Sequence, residues 1–150
     1  MSTKILEDFQ EQVRLLKQKI GSLPDRLAVI DETMRAIKGD LTEAEDRMKE
    51  IEVQFTYEIS IEIDSLEKPK PKFSNADARK AELQKRLSDD AEYLKLKAKK
   101  TELNADLLNN QIESDRLHNQ FRANFAIKDL VVAEMNLYAQ IKEAMKDEKQ

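Results

Sequence analysis

The sequence predicts a mainly α-helical protein, an elongated antiparallel helical coiled coil with one β-segment between its two helical arms. Apolar residues recur at three- and four-residue spacing through two long stretches of the chain, and a short stretch of strict apolar/polar alternation lies between them. Charged residues make up 37% of the chain and aromatic residues 5%, and there are two glycines. This composition suits long helices that each bury one stripe, in a single module covering residues 1–150.

The first arm, residues 1–52, is predicted to be helical because its 3-4 apolar spacing has no gap. The stripe consists of Leu6, Phe9, Val13, Leu16, Ile20, Leu23, Leu27, Ile30, Met34, Ile37, Leu41, Ala44, Met48 and Ile51. We predict a break near residues 21–24, since Gly21 suits a helix end, Ser22 an N-cap and Pro24 the first turn of a new helix. One long, kinked helix is the alternative, because the stripe keeps its spacing across this point.

Residues 53–63 are predicted to form a β-strand. Apolar residues alternate there with polar ones; the apolar set is Val53, Phe55, Tyr57, Ile59, Ile61 and Ile63. Residues 64–73 are predicted to be a loop, in which Pro69 and Pro71 exclude a regular central ladder. The strand therefore pairs either in a small hairpin with residues near 70–73 or with the same strand of another subunit.

The second arm, residues 74–146, is predicted to be a long helix capped by Ser74 or Asn75, with Asp77 in its first turn. A break is possible near residue 88, where Ser88 could cap a new helix, or near residue 118, where the seam becomes polar. The predicted seam consists of Leu87, Ala91, Leu94, Ala98, Thr101, Ala105, Leu108 and Ile112. Beyond Leu117 apolar residues occupy more than one face, which predicts at least two neighbouring elements.

The predicted strand and the wide apolar arc beyond Leu117 together predict a homo-oligomer. A lone strand needs a partner strand, and a helix that is apolar over a wide arc needs more than one partner helix. The predicted subunit interface consists of Phe55, Tyr57, Ile59, Ile61, Phe121, Phe125, Val131 and Tyr138.

The net charge changes sign along the chain: it is −6 over residues 1–64, +4 over 65–128 and −2 over 129–150. This polarity favours antiparallel pairing of an acidic and a basic arm, unless the charges form ordinary solvated faces.

No catalytic, cofactor-binding or metal-binding constellation is visible in the sequence. The chain has no cysteine and one histidine, His118, which lies in a polar helical run, and its two glycines stand apart from each other. Thiolate chemistry, His/Cys metal sites and phosphate-binding glycine loops are therefore excluded, and we expect the protein not to be an enzyme. We also expect no membrane segment and a cytoplasmic location, since no apolar run resembles a signal peptide or a membrane span.

A lysine-rich strip is the one candidate for nucleic-acid contact. Its most prominent members are Lys68, Lys70, Lys72, Lys97, Lys99 and Lys100. Lysines lined up against phosphates bind nucleic acid without sequence preference. Acidic residues interleave with these lysines and no aromatic residue lies among them to stack on bases, so a solvated or salt-bridged face is the stronger interpretation.

Two segments within residues 53–132 have a distinctive pattern, KPKPKFSNADARKAELQKRLSDDAEYLKL at 68–96 and LHNQFRANFAIKDLV at 117–131. Their elements are a Lys-Pro loop, an aromatic-Ser-Asn step, an Asp-x-x-Tyr element from Asp90 to Tyr93, and Gln120-Phe121-Arg122 in place of an Arg-Phe-Arg patch. In these elements residues 53–132 resemble a small family of coiled-coil proteins carried by bacteriophages and prophages. The family is associated with phage DNA replication and recombination genes. The resemblance implies this context and carries no catalytic residue.

We therefore expect a non-enzymatic, oligomeric interaction protein that acts on a protein of DNA replication, recombination or host defence. The first alternative is an accessory protein that binds nucleic acid through the lysine strip. The second is a holdase chaperone, suggested only by the helix–β-segment–helix layout that prefoldin-type chaperones share.

Overall fold

The computed structural model describes residues 2–149, and the chain is mainly α-helical, as predicted. It forms three helices, α1 (Ser2–Ile61), α2 (Ala76–Asp89) and α3 (Ala91–Asp147). The chain divides into two compact units. Unit 1 combines Met1–Thr33 with Asn110–Gln150, and unit 2 is Met34–Asn109. Helices α1 and α3 each contribute residues to both units, whereas α2 belongs to unit 2.

The predicted apolar stripe of α1 is the face that the chain buries. Every member of the stripe from Leu6 to Ile51 is buried or half-buried, and the residues between them are exposed up to Glu50. Leu23 in unit 1 and Ala44 and Ile51 in unit 2 are the most deeply buried members. The 3-4 spacing thus located the packing face of this helix residue by residue.

The predicted break at residues 21–24 is wrong, because α1 runs through this region with Pro24 in its interior. Gly21 has no positive φ, and the Ser22 hydroxyl donates to the carbonyl of Lys19 at 2.9 Å instead of capping a new helix. Proline removes one helical hydrogen bond at a cost of about 3 kcal/mol. Burial of Ile20, Leu23 and Leu27 on both sides of the proline offsets this cost and keeps the segment helical.

The predicted strand at 53–63 is also wrong, because residues up to Ile61 form the last turns of α1. Ile59 is 2% exposed, whereas its alternation partners Val53, Tyr57 and Ile61 are all more than half exposed. Ile51, Phe55 and Ile59 also fit the helical period, so this segment satisfies both patterns. A helix satisfies its backbone internally, whereas a strand would need a partner that the described residues do not supply.

In place of the predicted hairpin, the structure contains one antiparallel bridge between Ile63 and Pro71. Two backbone hydrogen bonds of 2.9 Å close it, from Asp64 N to Lys70 O and from Lys72 N to Glu62 O. The predicted loop at 64–73 therefore lies within the connection between α1 and α2, and it is tied at its base.

The predicted features at the start of the second arm are largely confirmed. The Asn75 side chain caps α2 by accepting from the N–H of Ala78 at 2.6 Å, and Asp77 lies in the first turn. The break near residue 88 falls at Asp90, whose carboxylate accepts from the N–H of Tyr93 at 2.7 Å and caps α3. Ser88 is not the cap, and α3 is uninterrupted near residue 118.

The seam predicted on α3 lies on the wrong face. Ala91, Leu94, Ala98, Thr101, Ala105, Leu108 and Ile112 are exposed, and only Leu87 of that set, which lies on α2, is buried. The less exposed residues are Tyr93, Leu96, Lys100, Leu103, Leu107, Asn110, Glu113, Ser114, Leu117, Phe121, Asn124, Lys128, Val131, Val132, Met135, Tyr138 and Lys142. Lysine, asparagine and serine at several of these positions hid the true periodicity.

Side-chain pairs show that α1 and α3 run antiparallel within each unit. In unit 2, Arg47 contacts Glu92 at 2.7 Å and Lys100 contacts Glu45 at 3.1 Å. In unit 1, the rings of Phe9 and Tyr138 lie with centroids 6.2 Å apart, and Arg26 lies 4.0 Å from Glu113. In both units the residue number rises along α1 as it falls along α3, as the opposite charges of the two arms favour.

Candidate interaction surface

The end of α1 and the start of α2 form the most sharply defined surface feature of unit 2. Arg79, in the first turns of α2, donates from Nη1 to the carbonyls of Phe73 at 3.2 Å and Ser74 at 3.4 Å. Together with the Asn75 cap, these hydrogen bonds fix where α2 begins relative to the loop. The Ile63–Pro71 bridge fixes the other end of the loop, so α2 is positioned from both sides.

A charge cluster joins α2 to the end of α1. Arg86, largely shielded from solvent, contacts Glu62, Glu82 at 2.8 Å and Glu58 at 3.8 Å, and Lys72 contacts Glu62 at 3.0 Å. Hydrogen bonds from Lys72 and then from Arg86 lower the pKa of Glu62, and those to Glu82 and Glu62 raise the pKa of Arg86. Glu62 and Arg86 therefore stay ionised near neutral pH, and the cluster connects α1, the loop and α2.

An apolar groove of about 260 Å³ lies between the two helices beside this cluster. Its lining residues are Thr56, Ile59, Ser60, Arg79, Lys80 and Leu83. We call this feature the α1–α2 groove. Buried Ile59 and half-buried Leu83 provide its apolar surface, and exposed Arg79 and Lys80 give it a basic rim. A groove of this kind accepts an apolar side chain that has a carboxylate nearby.

The two hydroxyl groups of the α1–α2 groove are already satisfied. Thr56 Oγ1 donates to the carbonyl of Glu52 at 2.7 Å, and Ser60 Oγ donates to that of Tyr57 at 2.6 Å. Their hydrogen atoms point back to the helix, so this wall presents mainly carbon to an occupant. Burying it against an apolar group therefore leaves no donor without a partner.

An exposed apolar face of α1 lies next to the groove. Val53, Tyr57 and Ile61 follow one another at four-residue spacing, and Tyr57 is 64% exposed. Leu66, in the loop, is 91% exposed. A helix face in contact with water ordinarily carries polar side chains, and neighbouring exposed apolar groups mark contact surfaces. This face and the groove together form a candidate surface for a partner protein.

The residues predicted for a subunit interface fall into two groups. Phe55, Ile59, Phe121, Val131 and Tyr138 are buried or half-buried within the chain, on the faces that α1 and α3 pack. Tyr57, Ile61 and Phe125 are exposed. Helical geometry separates Ile59 from Tyr57 and Ile61, which a strand would have placed on one face.

The six candidate nucleic-acid lysines do not form one patch. Lys72 pairs with Glu62, and Lys100 pairs with Glu45. Lys97 and Lys99 are exposed on α3, but residues two apart on a helix point in different directions. Lys68 and Lys70 lie exposed in the loop, with no ion pair to any residue that the structure describes.

The Asp-x-x-Tyr element from Asp90 to Tyr93 has a structural role here. Besides the Asp90 cap, the Tyr93 hydroxyl donates to Glu52 on α1 at 2.8 Å. Burial, and then this hydrogen bond, raise the pKa of Tyr93, so the phenol remains a donor at neutral pH. The element therefore fixes how α3 starts against α1.

The α1–α2 groove was not predicted from the sequence. Leu83 and Leu87 lie four residues apart on α2, and this spacing was the available signal for an apolar face that packs on α1. The strand prediction for residues 53–63 obscured it, because a strand would not have offered Thr56, Ile59 and Ser60 to one neighbour.

Within residues 2–149 no group of three metal-ligating side chains lies together, and no helix is both long and apolar enough to span a bilayer. Comparison with known protein families, with curated proteins and with solved structures finds no match to this chain.

Proposed function

We propose that this chain is a non-enzymatic coiled-coil interaction protein that binds a partner protein at the α1–α2 groove and the adjoining face of α1. The groove carries the proposal, because it combines an apolar floor, satisfied hydroxyls and a basic rim. An apolar side chain of the partner occupies the groove, and an acidic residue of the partner contacts Lys80 or Arg79. The heptad burial of α1 supports the coiled-coil arrangement of the arms.

The resemblance of residues 53–132 to phage and prophage proteins supplies the biological context of the proposal. In that context the partner is a protein of DNA replication, recombination or host defence, and binding takes place in the cytoplasm. The exposed Tyr57 and Leu66 support a macromolecular partner, since a small ligand would not cover them.

A matched pair of serine substitutions tests the groove. Ser60 lines it, and Ser22 is exposed on α1 in unit 1; each hydroxyl donates to the carbonyl three residues before it. A photoreactive phenylalanine analogue in place of Tyr57, which is exposed beside the groove, should crosslink the partner in phage-infected cells, and one at position 22 should not. With the crosslinked segment as a synthetic peptide, Ser60→Trp should weaken binding by about tenfold or more, and Ser22→Trp should leave it unchanged. Equal crosslinking at both positions would contradict the proposal.

Lys68 and Lys70 favour a second candidate function, the binding of nucleic acid, because they are exposed and lack carboxylate partners among the described residues. Fluorescence anisotropy with single- and double-stranded DNA across a salt series tests it. Binding that weakens with salt and is lost in the Lys68→Ala/Lys70→Ala variant would support this candidate. Absence of binding at low ionic strength would eliminate it.

A further inference from the structure

Helix α3 carries a second coiled-coil stripe in unit 2, on its outer side. Ala91, Leu94, Ala98, Thr101, Ala105 and Leu108 follow one another at 3-4 spacing, and all are exposed. Leu94 is 45% exposed and Leu108 is 61% exposed. At 3.5 residues per turn, this outer stripe lies nearly opposite the half-buried residues Tyr93, Leu96, Lys100, Leu103 and Leu107. Helix α3 is therefore patterned to pack on two sides, and only one side is covered.

The outer stripe carries no free hydrogen-bonding group. Its one polar residue, Thr101, donates from Oγ1 to the carbonyl of Lys97 at 3.1 Å, so its hydroxyl hydrogen is already bonded. A solvated helix face ordinarily bears charged side chains, and the stripe from Ala91 to Leu108 has none. Covering it would bury carbon and leave no polar atom without a partner.

We propose that a second copy of this chain docks on the outer stripe, with the two α3 helices antiparallel about a two-fold axis. The register places Leu94 of one copy over Ala105 of the other and Leu108 over Ala91, with Ala98 and Thr101 next to the axis. Every leucine then meets an alanine, so the helices lie at a constant, close distance. A parallel arrangement would stack leucine on leucine and alanine on alanine. A two-fold interface requires such a self-complementary surface.

Charges beside the outer stripe fit the same register. Lys95 and Glu102 lie on one edge of it, one heptad apart, and both are exposed without an ion-pair partner among the described residues. In the antiparallel register Lys95 of each copy lies beside Glu102 of the other, and the two-fold axis produces this contact twice. The pairing adds specificity to an otherwise apolar contact.

The helix pair is about 26 Å long at 1.5 Å per residue, which is short for a protein–protein interface. We therefore expect a dimer with a dissociation constant in the micromolar range. This inference does not depend on the proposed function of the α1–α2 groove, since the groove and the outer stripe share no residue.

Sedimentation velocity across micromolar concentrations tests the dimer. The unmodified chain should sediment as a dimer in equilibrium with a monomer. Ala105→Glu should weaken association by about tenfold or more, because it puts a charge under Leu94 of the second copy. Ala28→Glu adds the same charge at an exposed position of α1 and should leave association unchanged. A chain that is monomeric throughout this range would overturn the proposal.

The charge pair tests the orientation. Lys95→Glu should weaken the dimer, and Lys95→Glu combined with Glu102→Lys should restore it, because the swapped charges again meet their opposites. In a parallel dimer Lys95 would face Asp90 and Glu102 would face Lys97 of the other copy, so the double swap would weaken association further. That result would overturn the antiparallel register.

Single cysteines provide a second test of orientation, since the chain has no native cysteine. Thr101→Cys lies next to the two-fold axis and should form a disulfide-linked dimer on oxidation. Leu108→Cys should not, because its two copies lie far beyond the roughly 7 Å Cα separation that a disulfide permits. Crosslinking of Leu108→Cys to itself would show a parallel pair and contradict the proposal.

Discussion

The apolar stripes of α1 and α3 have the same spacing in the sequence, but the first is buried in the structure and the second is exposed. The stripe of α1 from Leu6 to Ile51 is the buried face, whereas the most regular stripe of α3, from Ala91 to Leu108, faces solvent. The difference lies in composition. The α1 stripe consists almost entirely of large side chains, whereas half of the α3 stripe is alanine. Regular 3-4 spacing therefore does not by itself show which face of a helix is buried within the chain.

The sharpest test of this contrast is truncation of one leucine from each stripe. Leu23→Ala should lower the free energy of unfolding by about 2–5 kcal/mol, because Leu23 is 2% exposed and its loss leaves a cavity. Leu108→Ala should change it by less than about 0.5 kcal/mol in urea denaturation of dilute, monomeric protein. Equal costs at the two sites would mean that both stripes are buried within one chain.

The end of α1 provides a comparably large test of helix against strand. Ile59→Ala should cost about 2–5 kcal/mol of unfolding free energy, and Ile61→Ala should cost less than about 0.5 kcal/mol, since only Ile59 is buried. In a strand these two residues would share one face and their truncation would have similar effects. Urea titrations of both variants, followed by circular dichroism, distinguish the two structures.

Pro24 gives an intermediate effect of opposite sign. Because Pro24 lies inside α1, Pro24→Ala should raise the free energy of unfolding by about 1–3 kcal/mol by restoring a helical hydrogen bond. If a helix instead began at Ser22, the proline would lie in the first turn and its replacement would have little effect. Ser22→Ala is the control, and it should be close to neutral because this hydroxyl caps nothing.

The smallest expected effect is a pH dependence from Glu62. Its pKa is lowered in the folded chain by Lys72 and Arg86, so its contribution to stability is complete above the ordinary glutamate pKa. That contribution is lost as the pH falls through the lowered value, because protonation removes both contacts. Thermal melts from about pH 6 to pH 3 should show a steeper loss of stability for the unmodified chain than for Glu62→Gln. Parallel curves would show that the cluster contributes nothing.

Much of the helical fold could be predicted from the sequence, because caps and large apolar stripes act locally. Asn75 and the break near residue 88 followed from such signals. The strand prediction was wrong because apolar residues at 53–61 fit both the two-residue period of a strand and the 3.6-residue period of a helix. The segment becomes helical because it continues α1. The seam on α3 was predicted on the wrong face because polar residues, Lys100, Asn110 and Lys128, occupy half-buried positions. Their stems pack there while their polar ends reach solvent or a partner.

The candidate surface could be predicted only in part. The exposed Tyr57 and Ile61 were identified as contact residues, although for a strand that does not form. The α1–α2 groove depends on where α2 lies against α1, which long-range contacts such as that between Arg86 and Glu62 determine. No local pattern in the sequence encodes such a contact.

The separate capping of α2 has a consequence for the motion of the molecule. A helix of 14 residues is close to the length at which helices are marginal in water, so α2 owes its order to Leu87 and to the carboxylates around Arg86. Added salt screens such ion pairs and weakens them. Amide protons of α2 should therefore exchange with solvent faster than those at the centre of α1, and the difference should grow as salt is added. The α2 wall of the groove should accordingly open more readily than the α1 wall.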